Sequence, residues 1–413
     1  MHEVLTAAEA AELLGVKRAT LYTYASRGLL ERVPGADGRS SAYRRADVLR
    51  LKARHDARAG HGPVAAAALR WGEPVVDSSI TSIEGGELRY RGQDPAGLAR
   101  SGASFEQVAE LLWAGALPDG PSRWEARGLS VLPVDFAAVL PPGTAPLGAM
   151  ALVLPALAAR DPGRLAAPEA TELHRARRLV LRLAALSGLG LDVGRCGPAL
   201  ARGTVARAIL HSLGGLWSPV AVEAVDVALI LCADHELNAS TFAARVAAST
   251  GADLYACLSA ALATFSGPRH GGACERVEAL VDEAATPERA MDVLRSRALR
   301  GDAVPGFGHP LYPEGDPRVL PMVEAALPLG GGRLETLLAI VQAMEDLGHP
   351  PPTLEIGLVA LRSALGLPRG GAEALFAVGR SAGWIAHALE QRRAGHLLRP
   401  RARYIGPGAG EVR

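Results

Sequence analysis

Three histidines stand in short polar clusters that interrupt an otherwise apolar stretch: His235 in D-H-E-L-N-A-S-T (residues 234–241), His270 in S-G-P-R-H-G-G-A (266–273) and His309 in P-G-F-G-H-P-L-Y-P-E-G-D-P-R (305–318). Imidazole offers a donor, an acceptor or a transferable proton near neutral pH, so three of them in Gly-, Asn- or Pro-marked settings point to a site. Taken singly, a helical histidine is more often a hydrogen-bonded packing residue, and His349 and His387 are read that way. A metal centre on Asp234, His235 and Glu236 is disfavoured, because adjacent residues of a helix point to different faces.

The elements that must position these clusters read as helices. Of 413 residues, 49% are hydrophobic but only 4% aromatic, and Ala and Leu dominate, which favours close-packed helices over sheets of β-branched residues. The fold class is therefore mainly α, with enough chain for two or three domains. One β-like patch interrupts it, residues 75–91, which alternate about Gly85-Gly86 as a hairpin does. Ser104 and Gln107 have the spacing of a helix start. Arg160, Arg164, Arg175, Arg177, Arg178 and Arg182 read as one solvated helix face.

The net charge of +1 gives no global field for nucleic acid or membrane. Four cysteines, widely spaced, outline neither a zinc site nor a disulfide framework, which fits a reducing cytoplasm. No apolar run approaches the roughly 20 residues that a bilayer requires, so no membrane partner is expected.

Residues 1–58 form a unit of their own. Thr6 and Glu9 have capping-box spacing, Gly15 ends a first helix, and a second follows at once up to Arg27-Gly28, the grammar of a helix-turn-helix. Residues 17–58 carry eleven cationic side chains against four acidic ones. Lys17, Arg18, Thr20 and Tyr22 are candidates for a major groove, with Arg39 and Arg44 for phosphates. A basic face that touches another protein is the alternative. The pattern, with Y-R-x-x-D-V after a turn-rich wing, resembles the DNA-binding domain of MerR-like and excisionase-like regulators. Residues 59–73, with Gly60, Gly62 and Pro63, read as a linker to a second domain over 74–413.

Within that second domain, H-E-L-N-A-S-T-F-A-A-R-V, G-P-R-H-G-G-A, G-F-G-H-x-x-Y-x-x-x-D-P-R and G-R-S-A-G-W-I-A-H-x-x-E-Q occur in order, flanked by R-Y-R-G and R-P-R-A-R-Y-I-G. This arrangement resembles the citrate synthase family. The resemblance implies a helical homodimer with a large and a small domain, the small one at roughly 275–380, that condenses acetyl-CoA with oxaloacetate. It implies acetyl-CoA as a substrate, no permanently bound cofactor and no metal.

Such chemistry needs a base for a weakly acidic thioester methyl, a donor for the enolate oxygen, a donor for the ketone, and arginines for the carboxylates. The resemblance assigns these roles to Glu355, His270 and His309, and to Arg318, Arg380 and Arg399 respectively. His235 binds the same keto acid, Arg399 reaches the site of the other subunit, and Gly306 and Gly308 admit the thioester arm closely. Glu355 stands where the family has aspartate, in P-P-T-L-E-I-G. That substitution and the fused basic unit leave a second expectation: a metabolite sensor coupled to DNA. Propionyl-CoA in place of acetyl-CoA, giving 2-methylcitrate, is the variant within the enzyme class.

Overall fold

The computed structural model describes residues 4–26, 30, 32–34, 41–45, 47–49, 51–52, 76–125, 129, 140–165 and 168–400. The chain divides into two units, Met1–Asp77 and Ser78–Arg413. The expected linker over 59–73 lies outside the described residues, as does Arg39.

In the first unit, strand β1 (Val4–Thr6) leads into α1 (Ala7–Leu14). The capping box forms as its spacing requires: the Glu9 amide donates to the Thr6 hydroxyl at 3.3 Å and the Thr6 amide donates to the Glu9 carboxylate at 2.8 Å. Gly15, at φ +66°, ends α1 with a left-handed cap. Helix α2 (Arg18–Ser26) follows, then β2 (Arg32–Pro34) and β3 (Ser41–Arg44). The three strands form an antiparallel sheet in the order β1-β3-β2, with Leu5 opposite Tyr43 and Val33 opposite Ala42. The wing was legible; its third strand, β1, was not, because three residues are too few for an alternating pattern.

Leu14, Leu21, Leu30, Tyr43 and Val48 close the small core of this unit. Burial of Leu21 turns Lys17, Arg18 and Tyr22 outward, where all three are exposed, with Thr20 half-buried; Arg44 is exposed on β3. These positions are the ones that the sequence singled out for nucleic acid.

The second unit opens with the hairpin of β4 (Thr81–Glu84) and β5 (Glu87–Tyr90). Its turn residues Gly85 and Gly86 both have positive φ, as a two-residue hairpin of matching twist demands. Thereafter the chain is helical: α3 (Pro95–Arg100), α4 (Phe105–Ala114), α5 (Pro146–Ala159), α6 (Glu169–Leu186), α7 (Val193–Leu200), α8 (Val205–Leu213) and α9 (Pro219–Cys232). It continues with α10 (Ala239–Ser249), α11 (Leu254–Phe265), α12 (Ala273–Ala284), α13 (Ala290–Arg300), α14 (Val319–Ala326), α15 (Gly332–Asp346), α16 (Leu354–Ala364) and α17 (Gly371–Ala394). None of the described helices is long and apolar enough to cross a membrane.

Helix α17 is the axis of this unit. It is buried along nearly its whole length, as a helix without a continuous polar face must be. It lies against α9, α10, α11 and α16. Gly383 permits the closest approach, since a Cβ there would meet Asp234 Oδ1 at 2.2 Å and the Ala233 carbonyl at 2.5 Å. Thus α17 presses directly on the turn that carries His235.

Candidate active site

The first histidine sits where α9 ends. Residues 233–238 form a turn, not a helix, with Glu236 at φ +53°. The helical-face reasoning against a metal therefore does not apply, and the side chains themselves give the better account. Asp234 turns to His387, which lies 3.3 Å away, whereas the His235 Nε2 meets the Tyr312 hydroxyl at 2.8 Å. Among the described residues no His/Cys/Asp/Glu group could hold a metal ion. Tyr90 of β5 fixes the turn: its hydroxyl donates to the Asp234 carbonyl at 3.0 Å and accepts from the Asp234 amide at 3.2 Å.

Asn238 caps α10, its Oδ1 accepting from the Thr241 amide at 3.1 Å. The Ser240 hydroxyl lies 2.8 Å from this oxygen and 2.8 Å from His270 Nε2, so its single proton serves one or the other. Trp384 Nε1 of α17 donates to that hydroxyl at 3.0 Å. The His270 ring is further fixed edge-on by Phe265, at 5.0 Å between centroids, and by Phe376, at 6.1 Å. An imidazole held on these sides has one ring nitrogen committed to Ser240 and keeps Nδ1 for chemistry.

His309 arrives on the loop between α13 and α14. Its ring lies 5.5 Å from that of His235 and 5.0 Å from that of Tyr312. The loop is held by the chain before α16: the Gly308 amide donates to the Pro351 carbonyl at 2.9 Å and the Thr353 amide donates to the Gly306 carbonyl at 2.8 Å. This pairing explains the glycines differently from the sequence reading. A Cβ on Gly306 would meet Ile356 Cδ1 at 2.8 Å and Val277 at 2.9 Å, and Gly308 is closed in by Pro350 at 3.2 Å, so the chain's own packing already requires both.

Glu355 lies in the first turn of α16, where the helix dipole favours a carboxylate. The Thr353 hydroxyl donates to its Oε2. Glu355 acts electrostatically on His309, raising its proton affinity, and on the thiols of Cys232 and Cys274.

Two buried arginines complete the cluster in different states. Arg318 is gripped by Asp316 through two bonds, Nε to Oδ1 at 2.8 Å and a terminal nitrogen to Oδ2 at 2.6 Å. Burial disfavours its charge, but Asp316 more than offsets that and holds the guanidinium above the ordinary arginine range. Arg380 of α17 donates from Nε to the Cys232 carbonyl at 2.7 Å, and one of its terminal nitrogens is buried without a hydrogen-bond partner among the described residues. An unpaired guanidinium nitrogen in a buried site is a position prepared for an anion.

Burial is the first cause of the low proton affinity of all three histidines. It drives His235 well below the usual imidazole range, helped by Arg318 and Arg380. It brings His270 down to about 4, helped by Arg380, and lowers His309, helped by Arg318. All three are neutral near pH 7 and act as hydrogen-bond donors without carrying charge.

His235, His270, His309, Glu355, Arg318 and Arg380 are thus brought together from α9, α11, the loop before α14, α16 and α17. Arg399 is exposed beyond the Gly395 cap of α17, and none of the described contacts joins it to the others. Sequence reasoning missed Tyr312, Asp316, Ser240 and Phe376. The first three had a signal, since all lie inside the polar motifs; Phe376 had none.

Residues 68–401 match the family model for the C-terminal domain of citrate synthase. The chain belongs to the citrate synthase family. With it the chain belongs to the acyltransferases that join an acyl-CoA to oxaloacetate through a new carbon–carbon bond. Residues 4–56 match a helix-turn-helix domain model.

Among family members, the chain is 35% identical over 338 residues to a protein of Mycobacterium tuberculosis described as putative citrate synthase 2, covering 79% of this chain and 88% of that one. It is 32% identical over 354 residues to citrate synthase 2 of Bacillus subtilis (81% and 95%). It is also 31% identical over 351 residues to a 2-methylcitrate synthase of Mycobacterium tuberculosis (80% and 88%). Among solved structures, citrate synthase of Thermoplasma acidophilum in complex with carboxymethyl-coenzyme A and oxaloacetate superposes with a TM-score of 0.72 at 27% identity, covering 81% of this chain and 95% of that one. Citrate synthase of Pyrobaculum aerophilum gives 0.66 at 30% identity (81% and 91%).

Proposed function

We propose that the second unit condenses acetyl-CoA with oxaloacetate to citrate and CoA through the six clustered residues, acting as a dimer, and that the first unit binds DNA. Arg380 carries the reading: its buried nitrogen, without a partner among the described residues, beside Arg318 and three neutral histidines suits a dicarboxylate better than any other ligand class.

In this mechanism Glu355 takes a proton from the thioester methyl. With the Ser240 proton turned to its Nε2, His270 carries its own proton on Nδ1 and donates it to a hydrogen bond with the thioester carbonyl as the enolate forms. The enolate carbon attacks the ketone of oxaloacetate, which His309 polarises, and hydrolysis of the resulting thioester releases CoA. Neutral imidazoles fit these tasks because a donor aimed at developing negative charge is most effective in a dry, preorganised site. His235, Arg318 and Arg380 bind the carboxylates. Arg399, being exposed near the chain's end, is assigned to the site of a second copy.

Release of free CoA, followed with a thiol reagent in the presence of oxaloacetate and either acetyl-CoA or propionyl-CoA, tests the reading. No release with either acyl donor would overturn it. The ratio of the two rates decides between citrate and 2-methylcitrate formation.

The sensor reading is kept because a helix-turn-helix unit is fused to the site. The outward Lys17, Arg18 and Tyr22, with Arg44, support DNA as the partner of that unit. Salt-dependent retention of duplex DNA, weakened by Arg18→Gln, is the expected result. Turnover at ordinary citrate synthase rates, with no DNA bound at low salt, removes the sensor.

A further inference from the structure

We infer that Thr353 is a positioning residue for the proton-transfer step, a role that rests on the reading of Glu355 as the base. Its hydroxyl fixes the Glu355 carboxylate by one oxygen and leaves the other to take the proton.

Thr353 is the N-cap of α16, with extended backbone at φ −106° and ψ 171°. A threonine in that position ordinarily turns its oxygen to an amide of the first helical turn, which stabilises the helix. No such bond forms here. The hydroxyl donates instead to Glu355 Oε2, and it is the one hydrogen-bond donor to that carboxylate among the described residues. A cap given up for a contact inside the site is expected where function competes with local stability.

Thr353 is itself held firmly. It is buried, its amide donates to the Gly306 carbonyl at 2.8 Å, and its carbonyl accepts from the Ile356 amide at 2.9 Å. The hydroxyl therefore hangs from backbone that is tied to the loop of His309 on one side and to α16 on the other.

Glutamate needs such a guide more than the aspartate of the family does. It has an additional side-chain torsion, and its last torsion is broad instead of confined to sharp rotamers. A charge-assisted bond to one carboxylate oxygen removes that freedom. Misplacing a reacting group by about 1 Å costs on the order of 100-fold in rate, so the end of this side chain must be fixed. With Oε2 held, Oε1 receives the proton of the thioester methyl and the C–H electron pair remains as the enolate. Thr353 keeps its own proton throughout. The buried thiols of Cys232 and Cys274, which burial and then Glu355 hold in the protonated form, add no competing charge beside the base.

Steady-state kinetics of the full chain test the role, with acetyl-CoA and with acetyl-CoA deuterated at the methyl. Thr353→Val removes the hydroxyl while keeping the branched shape and both backbone bonds. The expected result is a kcat lower by about 10- to 100-fold, a KM for oxaloacetate near its original value, and a larger isotope effect on kcat, because proton abstraction has become the slow step. Thr353→Ser keeps the hydroxyl and is expected to retain most of the kcat and the original isotope effect. In a Glu355→Gln background, Thr353→Val is expected to cost nothing further, whereas a merely structural role would lower activity again. Thr353→Ala carries the same expectations if the valine variant does not fold. A wild-type protein that releases no CoA rejects the assigned reaction and this role with it. A wild-type protein that turns over beside a valine variant of unchanged kcat and isotope effect rejects the role of Thr353 alone, as does an equal loss in the serine and valine variants.

Discussion

The Thr353 amide donates to the carbonyl of Gly306 at 2.8 Å, joining two segments 47 residues apart. This bond and its neighbour from Gly308 to Pro351 set the loop of His309 against the first turn of α16. They deliver the proposed base and the proposed ketone donor to one place, and Thr353 then seats the Glu355 carboxylate with its own hydroxyl.

Glu355→Gln keeps the size and removes the base. A positioned general base contributes roughly 10²–10⁴ in rate, so kcat is expected to fall by at least about 100-fold. The KM for oxaloacetate should change little. Steady-state kinetics check this, and a variant that retains most of its kcat would reject Glu355 as the base.

Arg380→Lys keeps the charge but loses the planar fork and the bond to the Cys232 carbonyl. Charge-assisted bonds of this kind contribute about 1.5–3 kcal/mol each. The KM for oxaloacetate is therefore expected to rise by about 10- to 100-fold, while the affinity for CoA stays near its original value. Calorimetry with oxaloacetate alone separates this effect from turnover.

His270, brought down to about 4 mainly by burial, is expected to stay neutral across the physiological range. Its folded value lies below the unfolded value of about 6.5, so the unfolded chain takes up the proton first. This residue's penalty on stability is absent above about pH 6.5 and grows as pH falls toward 4, to on the order of 3 kcal/mol. Side-chain NMR of His270 is the direct check; a midpoint near 6.5 would contradict the burial argument.

Glu373 presents the opposite sign. Burial, with Glu278 and Glu275 nearby, pushes its carboxyl up to about 7, and neither oxygen has a hydrogen-bond partner among the described residues. Its folded value exceeds the unfolded one, so its favourable contribution is present below about pH 4.5 and is lost as pH rises through 7. Glu373→Gln is expected to raise the melting temperature at pH 8.5 by several degrees and to leave it nearly unchanged at pH 5. Melting curves at both pH values check this.

Gly383→Ala places a methyl 2.2 Å from Asp234 Oδ1. Overpacking of this kind costs about 1–3 kcal/mol, and α17 must shift away from the turn of His235. A lower denaturant midpoint together with a raised KM for oxaloacetate is expected, measured by chemical unfolding and kinetics on the same preparation.

The local pieces of this protein were determined by sequence alone. The Thr6–Glu9 box, the Ser104 cap with Gln107, the Gly85-Gly86 hairpin and the apolar runs between polar clusters are signals between chain neighbours, and each formed where its spacing placed it. The histidine motifs were legible for the same reason. Tertiary structure alone decided how they converge. Arg380, Phe376 and Trp384 reach the site because α17 presents one face every three or four residues to α9, α10 and α11. Arg318 is already paired with Asp316, whereas Arg380 keeps a nitrogen without a partner among the described residues, and nothing in the motifs distinguishes those two states. The arginines of α6 read as a solvated face because periodicity reports which residues share a side of a helix. Whether that side meets water or closes on α5 and α11 depends on packing between segments about 100 residues apart.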